Sequence, residues 1–246
     1  MPHGRGTRLT VTVDDGGSCD GVNGAVRTCA GMGRLHRVSV LATGPSWREA
    51  CEIATGAGVE ISVHLNCIEP PFLGPSEFPV KWSAWVLSAG RLADSVRREW
   101  TLQVERVLSA GFRVSRLDSH RHLHHLGALR RVVLDLALEY GAGSVRSARL
   151  PDKAARPSGI VLDVLAARLS GMAAARGIGT TSSILGFSSS GRIDRAYLER
   201  YGGRLPGGEC EVVMHPALEN VWSDGQVGEF ELMTSEWFGE WILAGA

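Results

Sequence analysis

The chain has 246 residues, equal numbers of basic and acidic residues (26 each) and 44% hydrophobic residues, so it carries no basic surface for nucleic acid and is not disordered in composition. No apolar run approaches the roughly 18 residues of a membrane-spanning helix, and the polar segment from Met1 to Thr10 has no signal-peptide pattern. We therefore expect a globular protein with no nucleic-acid partner and no membrane span.

Short β-prone runs alternate with longer helical patterns along the chain. Residues 66–82 interrupt this alternation, because they are rich in proline and lack periodicity, which predicts a long loop. The predicted strands are 9–13, 38–41, 59–65, 114–117, 144–146, 181–185 and 211–214, and the predicted helices are 20–31, 46–55, 92–110, 128–140, 160–175, 194–201 and 229–243.

Seven strand–helix alternations predict an α/β fold with a parallel sheet, either open or closed into a barrel. No linker or shift in composition divides the chain, so we expect one domain over residues 1–246. In such folds the functional site lies at the carboxyl ends of the strands. Residues able to do chemistry stand at those ends: Asp14 and Asp15, His64, Asp118 and His120, Arg146, and His215.

The five cysteines are odd in number and widely spaced, with no C-x-x-C pair. This pattern disfavours a disulfide framework and a structural zinc site, and it is typical of a reducing compartment. We therefore expect a cytoplasmic location.

Asp14 and Asp15 follow a strand and precede Gly16 and Gly17. Adjacent strand residues point to opposite faces, so both carboxylates reach one site only if the chain turns at the glycines. The alternative is an ordinary solvated turn.

Four of the eight histidines fall between residues 120 and 125. If this segment is extended, Asp118, His120, His122 and His124 share one face, and imidazole with carboxylate suits zinc and other divalent metals. The strand rise of about 3.3 Å per residue is too long for all three histidines to bind one ion. A histidine-rich surface loop is the alternative.

His64 and His215 each end a further strand. Taken alone, each could be a structural histidine that only makes a hydrogen bond at the strand end. Together with the paired aspartates and His120, they favour one aspartate and two histidines from three strand ends as metal ligands. Three protein ligands leave open positions for water and substrate, which is the catalytic pattern. The remaining aspartate and histidine would then act as base and acid.

The order and spacing of these motifs resemble the YdjC/ChbG-like carbohydrate deacetylase family over nearly the whole chain. The resemblance implies a distorted (β/α) barrel of about seven strands, similar to the polysaccharide deacetylases. It also implies hydrolysis of the N-acetyl group of a small amino sugar, such as N-acetylglucosamine, or of a glycoconjugate. The matching segments are residues 11–17, 22–23, 63–65, 117–124, 145–146, 211–216 and 232–235.

The same resemblance implies one divalent metal ion, Zn²⁺ or Mg²⁺, and a role for each residue at the strand ends. Asp14 would be the general base on the attacking water, and His215 the acid for the leaving amine. The implied metal ligands are Asp15, His64 and His120. The residues implied to bind substrate, or to orient groups that surround the metal ligands, are Arg146, His122, His124 and Asn66.

Two features depart from the family pattern. Gly16 replaces an aromatic residue that usually follows the paired aspartates, which is expected to widen or loosen the floor of the site. The chain stops at Ala246, short of a Tyr-containing strand, so the barrel seam is expected to be open or covered by a partner subunit in a homo-oligomer.

Two other functions fit the same residues. The metal site could hydrolyse an ester or phosphate bond, or the domain could be a non-catalytic sugar- or metal-binding module. The intact set of Asp14, Asp15, His64, His120 and His215 speaks against a degenerate site. The loop at 66–82, with Trp82 and Trp85 at its exit, is expected to set specificity, although both tryptophans could equally belong to the core.

Overall fold

The computed structural model of the chain describes residues 6–152, 157–203 and 205–244. The first five residues, which belong to the segment without a signal-peptide pattern, and the chain end at Ala246 lie outside the described residues. Within the described ranges, no helix is both long and apolar enough to cross a membrane.

Eight parallel strands form one curled sheet in the order β6-β5-β4-β3-β2-β1-β8-β7, in agreement with the predicted α/β barrel-like fold. The longest strand, β1, is buried along nearly its whole length between β2 and β8. In chain order the strands are β1 (Thr7–Gly16), β2 (Arg37–Val40), β3 (Glu60–Leu65), β4 (Arg116–Ser119), β5 (Ser144–Val145), β6 (Gly179–Thr180), β7 (Ser183–Leu185) and β8 (Gly208–Met214).

Nine α-helices are present among the described residues, and those that follow the strands pack around the outside of the sheet. The main hydrophobic core lies between the helices and the outer face of the sheet. In chain order the helices are α1 (Asp20–Gly31), α2 (Trp47–Gly56), α3 (Trp82–Ser88), α4 (Ala93–Ser109), α5 (Leu129–Glu139), α6 (Pro157–Ala174), α7 (Arg195–Gly202), α8 (Gln226–Thr234) and α9 (Glu236–Leu243).

The two edge strands, β6 and β7, are separated only by Thr181 and Ser182, where one strand was predicted. Thr181 Oγ1 bonds the backbone of Ser147 beyond β5, whereas the backbone N–H of Ser182 donates to Glu209 in β8. Residues 179–185 therefore contribute one strand to each edge of the sheet, which raises the strand count from about seven to eight. Three Cα–Cα steps place the edges within about 11 Å of each other, so the sheet curls into a barrel.

The face of the sheet that lines the barrel is polar, because each strand alternates polar and apolar residues. The apolar residues face the helices, and the polar residues bond one another inside the barrel. The buried inward-facing residues are Thr12, Asp14, Arg37, Ser39, Ser62, His64, Arg116, Asp118, Arg146 and Glu211.

Two helical predictions differ from the structure. Trp82–Ser88, where no helix was predicted, forms α3; its Trp85 is fully buried, stacks on Phe78 at 5.8 Å and donates its indole N–H to the carbonyl of Pro79. Trp85 is therefore a core residue. The helix predicted at 229–243 is two helices, because Ser235 is extended and caps α9 by accepting the N–H of Phe238.

Candidate active site

The paired aspartates lie where β1 ends and the chain turns. Asp15 adopts a left-handed conformation (φ 59°), and Gly17 follows at φ 84°. This turn brings both carboxylates to one histidine: His64 Nε2 lies 3.5 Å from Asp15 Oδ1 and 3.9 Å from Asp14 Oδ2. The turn predicted from the two glycines therefore forms, and it places both carboxylates at the mouth of the barrel.

Gly17 cannot be replaced without strain. A Cβ at this position would lie 2.5 Å from Trp47 Cα, in a backbone conformation that favours glycine. We expect Gly17→Ala to lower the free energy of unfolding by about 1–3 kcal/mol, as measured by denaturant titration. Gly171→Ala is the control: it lies in α6 with open space around its Cβ, and should change stability by less than about 1 kcal/mol, in the stabilising direction. Equal stability of Gly17→Ala and the wild type would contradict this assignment.

Gly16 does not open the floor of the site, contrary to expectation. A Cβ at Gly16 would meet the Val38 side chain at 2.5 Å and Ala50 Cβ at 3.7 Å, both on the outer, helix-covered side of the sheet. Since the missing side chain would point away from the barrel interior, glycine here affects packing against α2.

Asp15, His64 and His120 bring three ligand atoms together at the mouth. Asp15 Oδ1 lies 3.2 Å from His120 Nδ1 and 3.5 Å from His64 Nε2, and the two nitrogens are 3.3 Å apart. A tetrahedral ion with bonds of about 2.0–2.1 Å separates its ligands by about 3.3 Å. The spacing and the ligand types therefore fit one divalent cation.

His64 is oriented by Asp118, a residue for which the sequence had suggested only a place on a shared face. The two are paired in the register of β3 and β4, and Asp118 Oδ1 contacts His64 Nδ1 directly. Ser39 and Ser62 donate to Asp118 at 2.5–2.8 Å. A carboxylate on the far nitrogen fixes the histidine tautomer and directs Nε2 toward the ligand position.

The extended histidine ladder predicted after β4 does not form. Residues His120–His125 make a 3-10 turn, in which Arg121 and His122 adopt left-handed conformations (φ 51° and 57°). The turn leaves His120 at the mouth and buries His124 and His125 in the interior. Left-handed non-glycine residues in succession are uncommon and are typical of functional sites.

His124 lies in the interior, with both ring nitrogens bonded to protein. Its Nδ1 contacts Ser119 Oγ at 2.7 Å, and its Nε2 contacts the Arg146 carbonyl at 2.8 Å. It therefore supports neighbouring groups, the second of the two roles expected for it. His125, likewise buried, accepts the N–H of Ala148. His122 differs, because its buried Nδ1 has no hydrogen-bond partner among the described residues.

Arg146 is fully buried and binds Asp14 with two hydrogen bonds, Nη1 to Oδ2 at 2.8 Å and Nη2 to Oδ1 at 2.7 Å. The guanidinium also donates two hydrogen bonds to Glu211, and its Nη1 lies 3.6 Å from Asp118 Oδ1. The guanidinium is thus saturated by protein carboxylates and orients Asp14, the second of the two roles expected for Arg146. Burial alone would raise the pKa of Glu211, but the guanidinium groups of Arg146, Arg116 and Arg37 outweigh it and hold that pKa at about 2.

His215 follows β8 at the same mouth. Its backbone is held by α8: the N–H donates to Glu229 at 2.5 Å, and the carbonyl accepts from Gln226 at 3.3 Å. Its ring meets the half-exposed Trp222 edge to face at 5.2 Å, and the buried Nδ1 has no partner among the described residues. Burial lowers the pKa of His215, although the carboxylates of Asp15 and Asp14 oppose that change.

Asn66 is buried directly after β3, and its side-chain amide makes four hydrogen bonds to neighbouring groups of the chain. Its Oδ1 accepts the N–H groups of Ile68 and Glu69, and its Nδ2 donates to Thr43 and to the Glu69 carbonyl. The amide therefore shapes the start of the loop, and both its oxygen and its nitrogen are engaged by the chain.

The carboxylates and imidazoles at the mouth stabilise each other's charged forms and so shift each other's pKa values. Burial lowers the pKa of His120, but the carboxylates of Asp15 and Glu69 outweigh it and raise that pKa to about 10. Burial raises the pKa of Asp15, but the neighbouring imidazoles outweigh it and hold that pKa below its usual range. A cation that binds these nitrogens must displace their protons.

Buried polar atoms without a partner are costly, and several gather at this mouth. They are Asp15 Oδ1, His120 Nε2, His122 Nδ1 and His215 Nδ1, among the described residues. Asp15 Oδ1 is one of the three ligand atoms, so a bound cation would supply the partner that this atom lacks among the described residues.

Comparison with known proteins gives a family match across the barrel. The family model described as YdjC-like protein matches residues 8–244. A carbohydrate deacetylase from Halalkalibacterium halodurans is 23% identical over 92% of this chain and 95% of its own length. A carbohydrate deacetylase from Geobacillus stearothermophilus is 31% identical over 53% of this chain and 56% of its own length.

A solved structure has the same fold. The crystal structure of a protein from Enterococcus faecalis V583, described as a cellobiose-phosphate cleavage protein, superimposes with a TM-score of 0.73. The alignment covers 96% of this chain and 94% of the other at 20% sequence identity, so the likeness extends to the fold alone.

Proposed function

The chain belongs to the YdjC-like protein family, and from this membership and the site geometry we propose that it is a metal-dependent hydrolase that removes the N-acetyl group from an amino sugar or glycoconjugate. The observation that carries the proposal is the triad of Asp15, His64 and His120, spaced for one cation, with the Asp14 carboxylate beside it. Relatives named carbohydrate deacetylases support the choice of bond and substrate class.

Asp15, His64 and His120 would hold the divalent cation. Two imidazoles and one carboxylate are ligands that suit zinc, and magnesium is the alternative. When bound, such an ion polarises an amide carbonyl and lowers the pKa of water. The three ligands approach from β1, β3 and the turn after β4, which leaves the solvent side of the mouth for substrate.

Asp14 serves as the general base that takes a proton from the attacking water. Its Oδ2 is near His64, yet both of its oxygens are bound by Arg146, which fixes the direction of the carboxylate. The guanidinium keeps Asp14 out of the ligand set and positions it beside that set. A base held in this way needs little reorganisation when the proton moves.

His215 serves as the acid for the leaving amine. An amine leaves poorly until it is protonated, so a proton donor is required near the scissile bond. The Nδ1 of His215 is buried, without a partner among the described residues, and the hydrogen bonds from its backbone to Glu229 and Gln226 hold this residue at the end of β8.

Aromatic groups at the rim support a sugar substrate. Trp222 is half exposed beside His215, and Trp82 is partly exposed with its indole N–H directed at the Arg121 carbonyl, 3.4 Å away. Sugar rings stack on such aromatic faces. His122, whose buried Nδ1 finds no hydrogen-bond partner in the part of the chain that the structure describes, remains our candidate for direct substrate contact.

Acetate release with and without chelator tests the proposal. We expect the purified protein to release acetate from N-acetylated sugars or glycoconjugates in a substrate panel, to lose at least about 100-fold in rate after chelation, and to recover on addition of zinc or magnesium. O-acetyl esters and phosphate esters in the same panel serve as controls for the bond. Faster cleavage of either ester class, or full activity in chelator, would contradict the proposed reaction.

A further inference from the structure

The Nε2 atom of His120 faces the carboxylate of Glu69, a residue to which the proposed mechanism gives no role. His120 Nδ1 is directed at Asp15 and His64, while Nε2, on the opposite side of the ring, lies 3.4 Å from Glu69 Oε1. Nε2 is buried and has no hydrogen-bond partner among the described residues. We propose that Glu69 is a positioning residue. Its carboxylate accepts a hydrogen bond from the Nε2–H group of His120 and so keeps Nδ1 as the metal-binding nitrogen. The proposal rests on the metal centre of the proposed function.

The arrangement repeats that of the other histidine in the triad. Asp118 contacts His64 Nδ1 and leaves Nε2 for the ion, and Glu69 contacts His120 Nε2 and leaves Nδ1. Carboxylates in this position fix the tautomer of a ligand histidine and raise its basicity. Glu69 is not itself a ligand, since an imidazole ring lies between it and the triad centre.

The two carboxylates differ in exposure. Asp118 is fully buried, whereas 48% of the Glu69 side chain is exposed. The gap of 3.4 Å is at the long end for an N–H···O hydrogen bond, and a small rotation of the half-exposed side chain closes it.

Glu69 is held in place from two sides. Asn66 bonds both the N–H and the carbonyl of Glu69, which fixes a tight turn directly after β3. Arg121, adjacent to His120, pairs with the Glu69 carboxylate. The loop at 66–82 therefore reaches the metal centre through Glu69, which links the expected specificity element to the affinity for the ion.

Metal affinity tests this role independently of turnover. We would measure zinc and magnesium affinity by competition with a chromogenic chelator for the wild type, Glu69→Ala, Glu69→Gln and Glu77→Ala. Loss of the carboxylate should weaken metal binding about 10–100-fold in Glu69→Ala. Glu69→Gln retains an oxygen acceptor of the same length and should recover part of that loss. Glu77→Ala, an exposed position on the same loop, should match the wild type.

The histidine tautomer gives a second readout, which a purely structural role would not change. In ¹⁵N-labelled, zinc-loaded wild type, long-range ¹H–¹⁵N spectra should show one tautomer for His120, with its proton on Nε2. In Glu69→Ala the Nε2 signal should shift or broaden, while the His64 signals stay. Equal metal affinity and an unchanged His120 signal in Glu69→Ala would overturn the inference. Failure of the wild type to bind any divalent ion would instead overturn the proposed metal centre.

Discussion

The Asp14→Asn variant is expected to lose acetate release by about 10²–10⁴-fold, equivalent to about 3–5 kcal/mol of transition-state stabilisation, while it retains bound metal. Asparagine has the shape of aspartate but cannot accept a proton from water. The three ligand atoms come from Asp15, His64 and His120, so the substitution leaves the triad intact. Acetate release and metal content, measured on the same preparation, check this result.

The main risk to this experiment is the buried guanidinium beside Asp14. Asp14→Asn removes one counter-charge of Arg146, which still has Glu211 and, at 3.6 Å, Asp118. We therefore expect a fold that is retained but less stable, and thermal unfolding of each preparation provides the check. Undiminished acetate release from a folded variant would rule out Asp14 as the base. If Asp14→Asn lost as much metal as His120→Ala, Asp14 would belong to the metal ligands instead.

The His120→Ala variant is expected to lose both metal and activity. Removal of one of three ligands should weaken metal binding by more than about 100-fold, above the 10–100-fold typical for loss of an outer partner. The purified variant should therefore contain far less than one equivalent of zinc or magnesium after loading and desalting, by elemental analysis. This separates His120 from Asp14, whose substitution should spare the metal.

His36→Ala is a matched control for His120→Ala. His36 is exposed at the opposite end of the sheet, where its Nδ1 accepts the N–H of Val11. Its substitution should leave metal content and acetate release unchanged, apart from a small loss of stability. Metal retention by His120→Ala equal to that of His36→Ala would remove His120 from the ligand set.

Much of the fold could be predicted because the strands carry their own signal. The alternation Thr-Val-Thr-Val-Asp in β1 and Ser-Val-His-Leu in β3 places every second residue on the same face, whatever surrounds it. Parallel strands share one carboxyl edge, so Asp14, His64 and His215 had to meet there. The boundary between α8 and α9 at Ser235 was missed because the apolar helical pattern runs through it. A serine in such a pattern starts a new helix only if the chain changes direction there.

The turn after β4 could not be predicted from local pattern. Alternating histidines from His120 to His124 fit an extended strand, but two left-handed residues end the extension. The interior supplies the reason: His124 and His125 find hydrogen-bond partners at Ser119, Arg146 and Ala148 only when the chain turns inward. Long-range partners outweighed the local strand preference.

The sequence by itself determined which strands end in chemistry and which residue types stand there, because strand periodicity and the parallel-sheet rule act on local order. Only the tertiary structure decided what each side chain does. Asp118 orients His64 from 54 positions away, and Arg146 binds Asp14 from 132 positions away. Asp118 meets His64 once β3 and β4 pair, whereas Arg146, beyond β5, reaches Asp14 in β1 only when the sheet curls. These contacts select the ring nitrogen and the carboxylate that face the ion. For this reason the structure decides between the two roles that the sequence left open for Arg146 and His124: both are bonded to groups of the chain that hold the site in shape.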